Sequence, residues 1–186
     1  MNPLIKREQL NVRPLVKEDA YRLTKWLSDP EVLQFYEGRD HPFDLEMVQR
    51  KFYKQTDRTN RCAVEWEGQT IGYVQYYPID EEERKTYGLM DNKSLIYGLD
   101  QFIGEKDFWN KGIGTILVQT MTDFLTIELK VEQVVMDPQV TNTRALACYE
   151  KCGFVKQKRL PEHEWHEGQY RDCWLIIYTP NQKSEQ

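Results

Sequence analysis

Residues Asp107-Phe108-Trp109-Asn110-Lys111-Gly112-Ile113-Gly114-Thr115 join two runs of different periodicity. Before them, Leu95 to Gly104 is apolar and strand-like. After them, Thr115 to Leu129 carries Ile116, Leu117, Met121, Phe124, Leu125 and Ile127 at helical spacing. A strand that feeds a helix through a basic, glycine-containing loop restricts the chain to α/β architectures. It also makes a place where an anion can dock, because the first turn of a helix has unpaired N–H groups and a partial positive charge. Gly112 and Gly114 lack a Cβ, so a phosphate can come close to the backbone, and Lys111 adds a full charge. The stretch reads as a pyrophosphate cradle. It is not a Walker loop, since no Gly-Lys-Ser/Thr follows, and it lacks the third glycine of a dinucleotide fingerprint.

The remaining elements follow from pattern. Leu10 to Leu15 alternates as a first strand, and Lys17 to Leu27 is helical, with Ala20, Leu23, Trp26 and Leu27 on one face. Ser28-Asp29-Pro30 breaks it, Glu31 to Tyr36 is a second short helix, and Asp44 caps a third that runs to about Gln55. Arg61 to Trp66 and Thr70 to Tyr77 form a hairpin around Glu67-Gly68-Gln69. Asp80 to Lys93 is charge-rich without periodicity and reads as an exposed insertion. Gln133 to Met136 is a short buried strand. Asn142-Thr143-Arg144-Ala145 opens a helix that closes at Lys151-Cys152-Gly153 with glycine just past its end. Phe154 to Lys158 is a strand, Pro161 to Gly168 a loop, Asp172 to Tyr178 a last apolar strand, and Pro180 to Gln186 a polar tail. The order β-α-α-α-β-β-β-α-β-α-β-β implies one α/β domain over 1–180, with a mixed central sheet and helices on both faces.

Composition narrows the function. At 186 residues, with 40% hydrophobic and 30% charged residues, the chain can bury a sizeable core. No apolar run reaches the roughly 18 residues of a membrane helix, and Met1 to Leu10 shows no secretory signal, so a cytoplasmic protein is expected. A net charge of −5 disfavours nucleic acid as a partner. Cys62, Cys148, Cys152 and Cys173 have no metal-finger spacing and are expected as reduced thiols. His163-Glu164-x-His166 is one residue short of the zincin pattern and follows Pro161 in a loop, so no metal is expected.

A second motif sharpens the first. Asn142-x-Arg144-Ala145-x-x-x-Tyr149-x-x-x-Gly153-Phe154 sets Asn142 at a helix start and Ala145 and Tyr149 on one helix face. Together, Trp109 to Thr115 and Asn142 to Phe154 resemble the acetyl-CoA-binding motifs of the GNAT superfamily of N-acetyltransferases. Trp109 departs from the pattern, which usually has Gln or Arg there. Gly98-Leu99-Asp100-Gln101-Phe102-Ile103-Gly104-Glu105, Met136-Asp137-Pro138 and Leu160-Pro161-Glu162-His163-Glu164 resemble the aminoglycoside 6′-N-acetyltransferases. So do Lys25-Trp26-Leu27 and Phe35-Tyr36-x-Gly38-Arg39-Asp40. The likeness is strongest to the acetyltransferase half of the bifunctional acetyltransferase–phosphotransferase resistance enzymes and runs from about Val12 to about Tyr178.

The resemblance implies acetyl-CoA as co-substrate and an aminoglycoside as acceptor, with the chain a monomer or weak homodimer. It implies cofactor contacts from Gln101, Phe102, Ile103, Trp109, Lys111, Gly112, Ile113, Gly114, Thr115, Asn142, Ala145 and Tyr149. It puts the acceptor amine beside Asp100, a carboxylate in an apolar strand, where it can hold an ammonium and take its proton. The alternative for Asp100 is a strand-end residue satisfied by backbone N–H groups. Backbone near Gln101 to Ile103 is expected to donate to the thioester carbonyl. Tyr149 is the candidate donor to the departing thiolate, or else an aromatic packed between helix and sheet. Asp137, Glu162 and Glu164 are expected to border the cationic acceptor, Asp137 alternatively being an N-cap or turn residue before Pro138. Trp26, Tyr36, Tyr76 and Trp165 are expected as sugar-stacking rings, with core packing as an equal alternative. A covalent route through Cys148 or Cys152 is conceivable, although direct transfer needs no nucleophile. Two rival functions stay open. One keeps the chemistry on another amine, whether a protein N-terminus, a polyamine or a siderophore amine. The other is an acyl-CoA-binding module without turnover.

Overall fold

The computed structural model describes residues 4–54, 57–91 and 93–180. The expected polar tail from residue 181 and the expected helix end at Gln55 lie outside them. Fourteen elements are described: β1 (Ile5–Arg7), β2 (Leu10–Pro14), α1 (Asp19–Trp26), α2 (Pro30–Leu33), α3 (Leu45–Val48), β3 (Asn60–Trp66), β4 (Gln69–Pro78), α4 (Glu81–Tyr87), β5 (Ile96–Ile103), α5 (Ile113–Asp123), β6 (Gln133–Met136), α6 (Thr143–Lys151), β7 (Val155–His166) and β8 (Gln169–Tyr178). Wider π turns extend α3 over Gln49–Tyr53 and α5 over Phe124–Glu128. The strands form one sheet in the order β1-β2-β3-β4-β5-β6-β8-β7. It is mixed, as expected: β1/β2, β2/β3 and β6/β8 are antiparallel and β5/β6 parallel. The parallel pair β5/β6 is joined through α5, since a tight turn cannot connect parallel neighbours.

Residues of this α/β fold gather in two compact units. The first comprises the described residues up to Gln75, with Asp100–Gly114 and Trp165–Tyr170. Its apolar core is Ala20, Leu23, Trp26, Leu27, Val32, Leu33, Phe43, Val48, Phe52 and Tyr73. The second holds Tyr76–Leu99, Thr115–Glu164 and the described residues from Arg171, around Ile79, Tyr87, Ile96, Val135, Leu160, Cys173, Leu175 and Ile177.

Local signals explain most boundaries. Asp29 caps α2 by accepting from the Glu31 N–H at 2.9 Å, with Pro30 at the first helical position. Asp44 caps α3 as expected, accepting from the Met47 N–H at 2.8 Å. In the β3–β4 hairpin, Glu67 and Gly68 both have positive φ (49° and 83°), which matches a two-residue turn to the strand twist.

Four expectations are corrected. Ile5–Arg7 is a strand that its few apolar residues do not announce. Asp80 to Lys93 is not an open insertion, because α4 occupies its first half. Asp80 accepts from the Glu83 N–H at 2.8 Å while the Glu83 side chain accepts from the Asp80 N–H at 2.9 Å. That capping box and the left-handed Gly88 hold a helix whose one buried side chain is Tyr87. Helix α5 starts at Ile113, two residues before the expected Thr115, so Gly114 lies in its first turn. Finally, Pro161 to Gly168 is strand up to His166. β7 is the end strand of the sheet, the place where a proline is tolerated within a strand. Glu162 bends with φ 48° and donates its N–H to Asp172 Oδ1 at 2.9 Å.

Candidate active site

β6 pairs with β5 over Ile96 to Gly98, and β5 runs on to Ile103. The acidic residue in that extension, Asp100, is half-buried and accepts a hydrogen bond from Gln75 Nε2 at 2.8 Å. Gln75 Oε1 in turn accepts from the Tyr73 hydroxyl at 2.7 Å. Tyr73 is wholly buried, and burial, with a smaller contribution from the charge of Asp100, pushes its phenol up so that it stays a donor. A side-chain relay from β4 therefore meets the carboxylate.

The next residues of β5 pack into the first core. The Phe102 ring lies 4.7 Å from Tyr36, 5.6 Å from Tyr73 and 6.0 Å, edge-on, from Trp26. Gln101, Phe102 and Ile103 are half-buried, as is Tyr36. Trp26 is only 2% exposed, donates its indole N–H to Glu105 Oε1 at 2.9 Å and lies flat against Gly104. Tyr76 is 5% exposed between Tyr97 and Phe124, with ring centroids 6.4 and 5.8 Å away. A ring without open face cannot stack on a sugar, so of the two alternatives Trp26 and Tyr76 take core packing.

Beyond β5, a short turn over Lys106–Phe108 leads to the cradle. Asn110 (φ 59°) and Gly112 (φ 77°) take left-handed conformations on either side of Lys111, immediately before α5. Alternation of this kind curls successive N–H groups into an anion-binding concavity. A Cβ built on Gly112 or Gly114 would meet no atom within 4 Å. Buried Ile113 anchors the helix start. Exposed Lys111 holds its ammonium 5.5 Å from the Phe108 ring centroid. Trp109, expected at the cofactor, is half-buried; its indole N–H donates to the Ile103 carbonyl at 2.7 Å and its ring packs on the first core. Where a longer polar side chain is usual, this chain has a tie between loop and strand.

In the second unit, Thr115 Oγ1 lies 3.3 Å from Cys148 Sγ, and Cys152 Sγ donates to the Thr115 carbonyl at 3.7 Å. Interaction with the Cys152 thiol and the Thr115 hydroxyl, aided by the charges of Lys151 and Arg144, outweighs burial and pulls the Cys148 thiol down to about 6. Asn142 caps α6 by accepting from the Ala145 N–H at 3.3 Å. Ala145 and Tyr149 are half-buried, and the Tyr149 ring sits 6.1 Å from Phe154.

Two further acids belong to the second unit. Asp137 Oδ2 accepts from the Tyr87 hydroxyl at 2.9 Å and lies 2.7 Å from His163 Nε2. The hydrogen bond to Asp137 raises the imidazole above its ordinary value against the opposing effect of burial. Glu164 accepts from Gln139 Nε2 at 3.2 Å and from the Cys173 thiol at 3.8 Å. Neither Tyr87 nor His163 was anticipated as a partner of Asp137. The capping box of α4 was the legible signal for Tyr87. For His163 the signal was the His-Glu-x-His run, which a strand arranges differently: His163 and His166, three apart, point to opposite faces. Among the described residues, no group of three or more His, Cys, Asp or Glu side chains could hold a metal. Nor, among them, is any helix long and apolar enough to cross a membrane.

A strand continuing past its parallel partner, a nest opening a helix and an asparagine-capped second helix carry the two motifs whose resemblance implies an acyl-transferring class of α/β protein. The family model described as acetyltransferase (GNAT) domain matches residues 16–161, and the chain belongs to that family as an N-acetyltransferase. Its relatives include an aminoglycoside N(6′)-acetyltransferase type 1 of Klebsiella pneumoniae, 27% identical over 154 residues, covering 81% of this chain and 76% of the relative. The crystal structure of AAC(6′)-Ib with coenzyme A and kanamycin superposes with a TM-score of 0.72 at 22% identity, over 92% of this chain and 95% of the other. Spermidine N-acetyltransferase from Vibrio cholerae, in complex with CoA and spermine, superposes at 0.75 with 19% identity, over 93% and 96%. At those identities the superpositions speak for the fold.

Proposed function

We propose that this protein is a cytoplasmic, acetyl-CoA-dependent aminoglycoside 6′-N-acetyltransferase that confers resistance by direct transfer within a ternary complex. The observation that carries the reading is Asp100, a half-buried carboxylate on the part of β5 beyond its pairing with β6, held by a neutral amide. An acceptor amine arrives as an ammonium, and this carboxylate can hold it and take up its proton as attack proceeds. The cradle fits the donor. Gly114 sits in a helix without any internal contact that demands glycine, which leaves room for a pyrophosphate at the N–H groups from Gly112 to Thr115, beside Lys111.

In this reading, backbone N–H groups of Gln101 to Ile103 stabilise the thioester carbonyl oxygen as it gains charge. Asn142 and Ala145 open the second cofactor helix, and Tyr149 supplies a proton to the departing thiolate. Asp137 and Glu164 attract the remaining ammonium groups of the drug, and Tyr36 offers an apolar face. Acetylation removes the 6′-amine's charge and with it a contact to RNA. The working unit is one domain over 1–180, active as a monomer or weak homodimer.

A second reading, a polyamine acceptor, is favoured by the 24% identity over 100 residues to a Vibrio cholerae spermidine N(1)-acetyltransferase. Thiol release with kanamycin, spermidine and a peptide separates the readings, with the acetylated position identified by NMR. Asp100→Asn is expected to lower kcat/KM for kanamycin by roughly 10²–10⁴, the scale of a lost general base, with acetyl-CoA affinity unchanged. Turnover confined to spermidine refutes the drug assignment, and near-wild-type kcat/KM in the variant removes Asp100 from the mechanism.

A further inference from the structure

We propose that Gln75, backed by Tyr73, is a positioning residue for the acceptor carboxylate: it fixes the rotation of Asp100 through a neutral donor that adds no charge of its own. The inference rests on the reading of Asp100 as the acceptor-site base.

Three observations carry it. Tyr73 and Gln75 are two apart on β4, so they share one face, and Asp100 and Phe102 share a face of the adjacent β5 in the same way. Tyr73 cannot move, being fully buried with its ring 5.2 Å from Phe52 and 5.6 Å from Phe102. Its hydroxyl has a single proton, given to Gln75 Oε1 at 2.7 Å, which turns the amide so that Nε2 faces Asp100 at 2.8 Å. The reversed amide would set an oxygen against a carboxylate oxygen, which is repulsive. The relay therefore has one polarity, running from phenol to amide to carboxylate.

The identity of the donor matters. An arginine here would orient the carboxylate but cancel the charge that an ammonium needs to find. Arg61 on β3, whose charge reaches Tyr73, is paired with Asp57 at 2.7 Å and 3.0 Å. Titratable groups around Tyr73 include Cys62, pushed up to about 12 by burial, and Asp57, and Tyr36 packs beside Phe102. A neutral amide donor favours the ionised carboxylate without neutralising it. This gives a signature that simple packing would not, because removing the donor must move the titration of Asp100 upward.

The experiment follows the Asp100 carboxyl by carbon NMR in protein labelled at aspartate, with Asp100→Asn identifying the resonance. The acidic limb of kcat/KM is measured alongside. Gln75→Met keeps length and loses both hydrogen bonds, and should raise the Asp100 midpoint and the acidic limb by about one pH unit. Tyr73→Phe removes one oxygen, frees the amide to rotate and should shift both the same way by less, so the readout does not hang on one variant's folding. Gln75→Glu should shift them furthest, since two carboxylates at that distance share a proton. Acetyl-CoA affinity should stay within about twofold in all three. Coincident Asp100 midpoints in wild type, Gln75→Met and Tyr73→Phe overturn the inference. If instead Asp100→Asn acetylates normally, it is the catalytic reading of Asp100 that fails, and the NMR midpoints still decide whether Gln75 governs the carboxylate.

Discussion

Gly114 offers a perturbation with two opposite signs. It lies in the first turn of α5 with an ordinary helical backbone, and an added Cβ would have 4 Å of clearance. Nothing inside the protein therefore requires glycine there. Alanine is preferred over glycine in helices by about 0.5–1 kcal/mol. In a chain of this size 1 kcal/mol is worth about 2–4 °C in Tm, so Gly114→Ala should raise the Tm of the free protein by about 1–4 °C. If a phosphate instead uses this gap, the methyl group displaces it from first-turn N–H groups. A hydrogen bond to a charged group contributes about 1.5–3 kcal/mol, so acetyl-CoA should bind roughly 10–100-fold more weakly. Scanning calorimetry of the free protein and titration calorimetry with acetyl-CoA read the two effects separately. Gly112→Ala is the control, because φ 77° strains any other residue by about 1–2 kcal/mol and should lower Tm. A stabilised Gly114→Ala protein with unchanged acetyl-CoA affinity would refute the cradle, since the open space would then face only water.

Three further outcomes are expected. Tyr149→Phe should keep the fold and lower kcat by roughly 10²-fold or less, the range of general-acid catalysis, measured by thiol release; an unaltered rate withdraws the acid role. Alkylation of Cys148 should rise with a midpoint near pH 6, where its thiol is held by Cys152 and Thr115, and should slow when acetyl-CoA is bound; the Cys152→Ala variant should titrate higher, and mass spectrometry assigns the site. The imidazole of His163 is raised by Asp137, so the stability their pairing contributes is complete below about pH 6.5 and is lost as pH climbs through the folded-state value. Asp137→Asn should flatten that part of the stability–pH curve and lower the His163 midpoint seen by proton NMR, and an unmoved midpoint would mean that another group sets it.

How far the sequence reached can be followed residue by residue. It determined the element order around the cradle, because strand and helix periodicities differ and glycines mark the joins, and it set β6 at Gln133–Met136 to the residue. The caps Asp44 and Asn142 were legible because capping is a local contact, made within three residues. Helix α4 was also local, but its signal was Asp80 and Glu83 rather than apolar spacing. What only the tertiary structure decided was neighbourhood. That Pro161 falls on the end strand, where proline is tolerated, depends on strand order rather than on proline. Trp26 and Tyr76 are core rather than open faces because their partners, Glu105, Phe102, Tyr97 and Phe124, come from distant segments. Asp100 could be picked out as a charge in an apolar strand, but not what holds it. Gln75 lies 25 positions away and meets it only because β4 and β5 are adjacent, since hydrogen bonds between strands follow register in space and leave no periodicity in the chain.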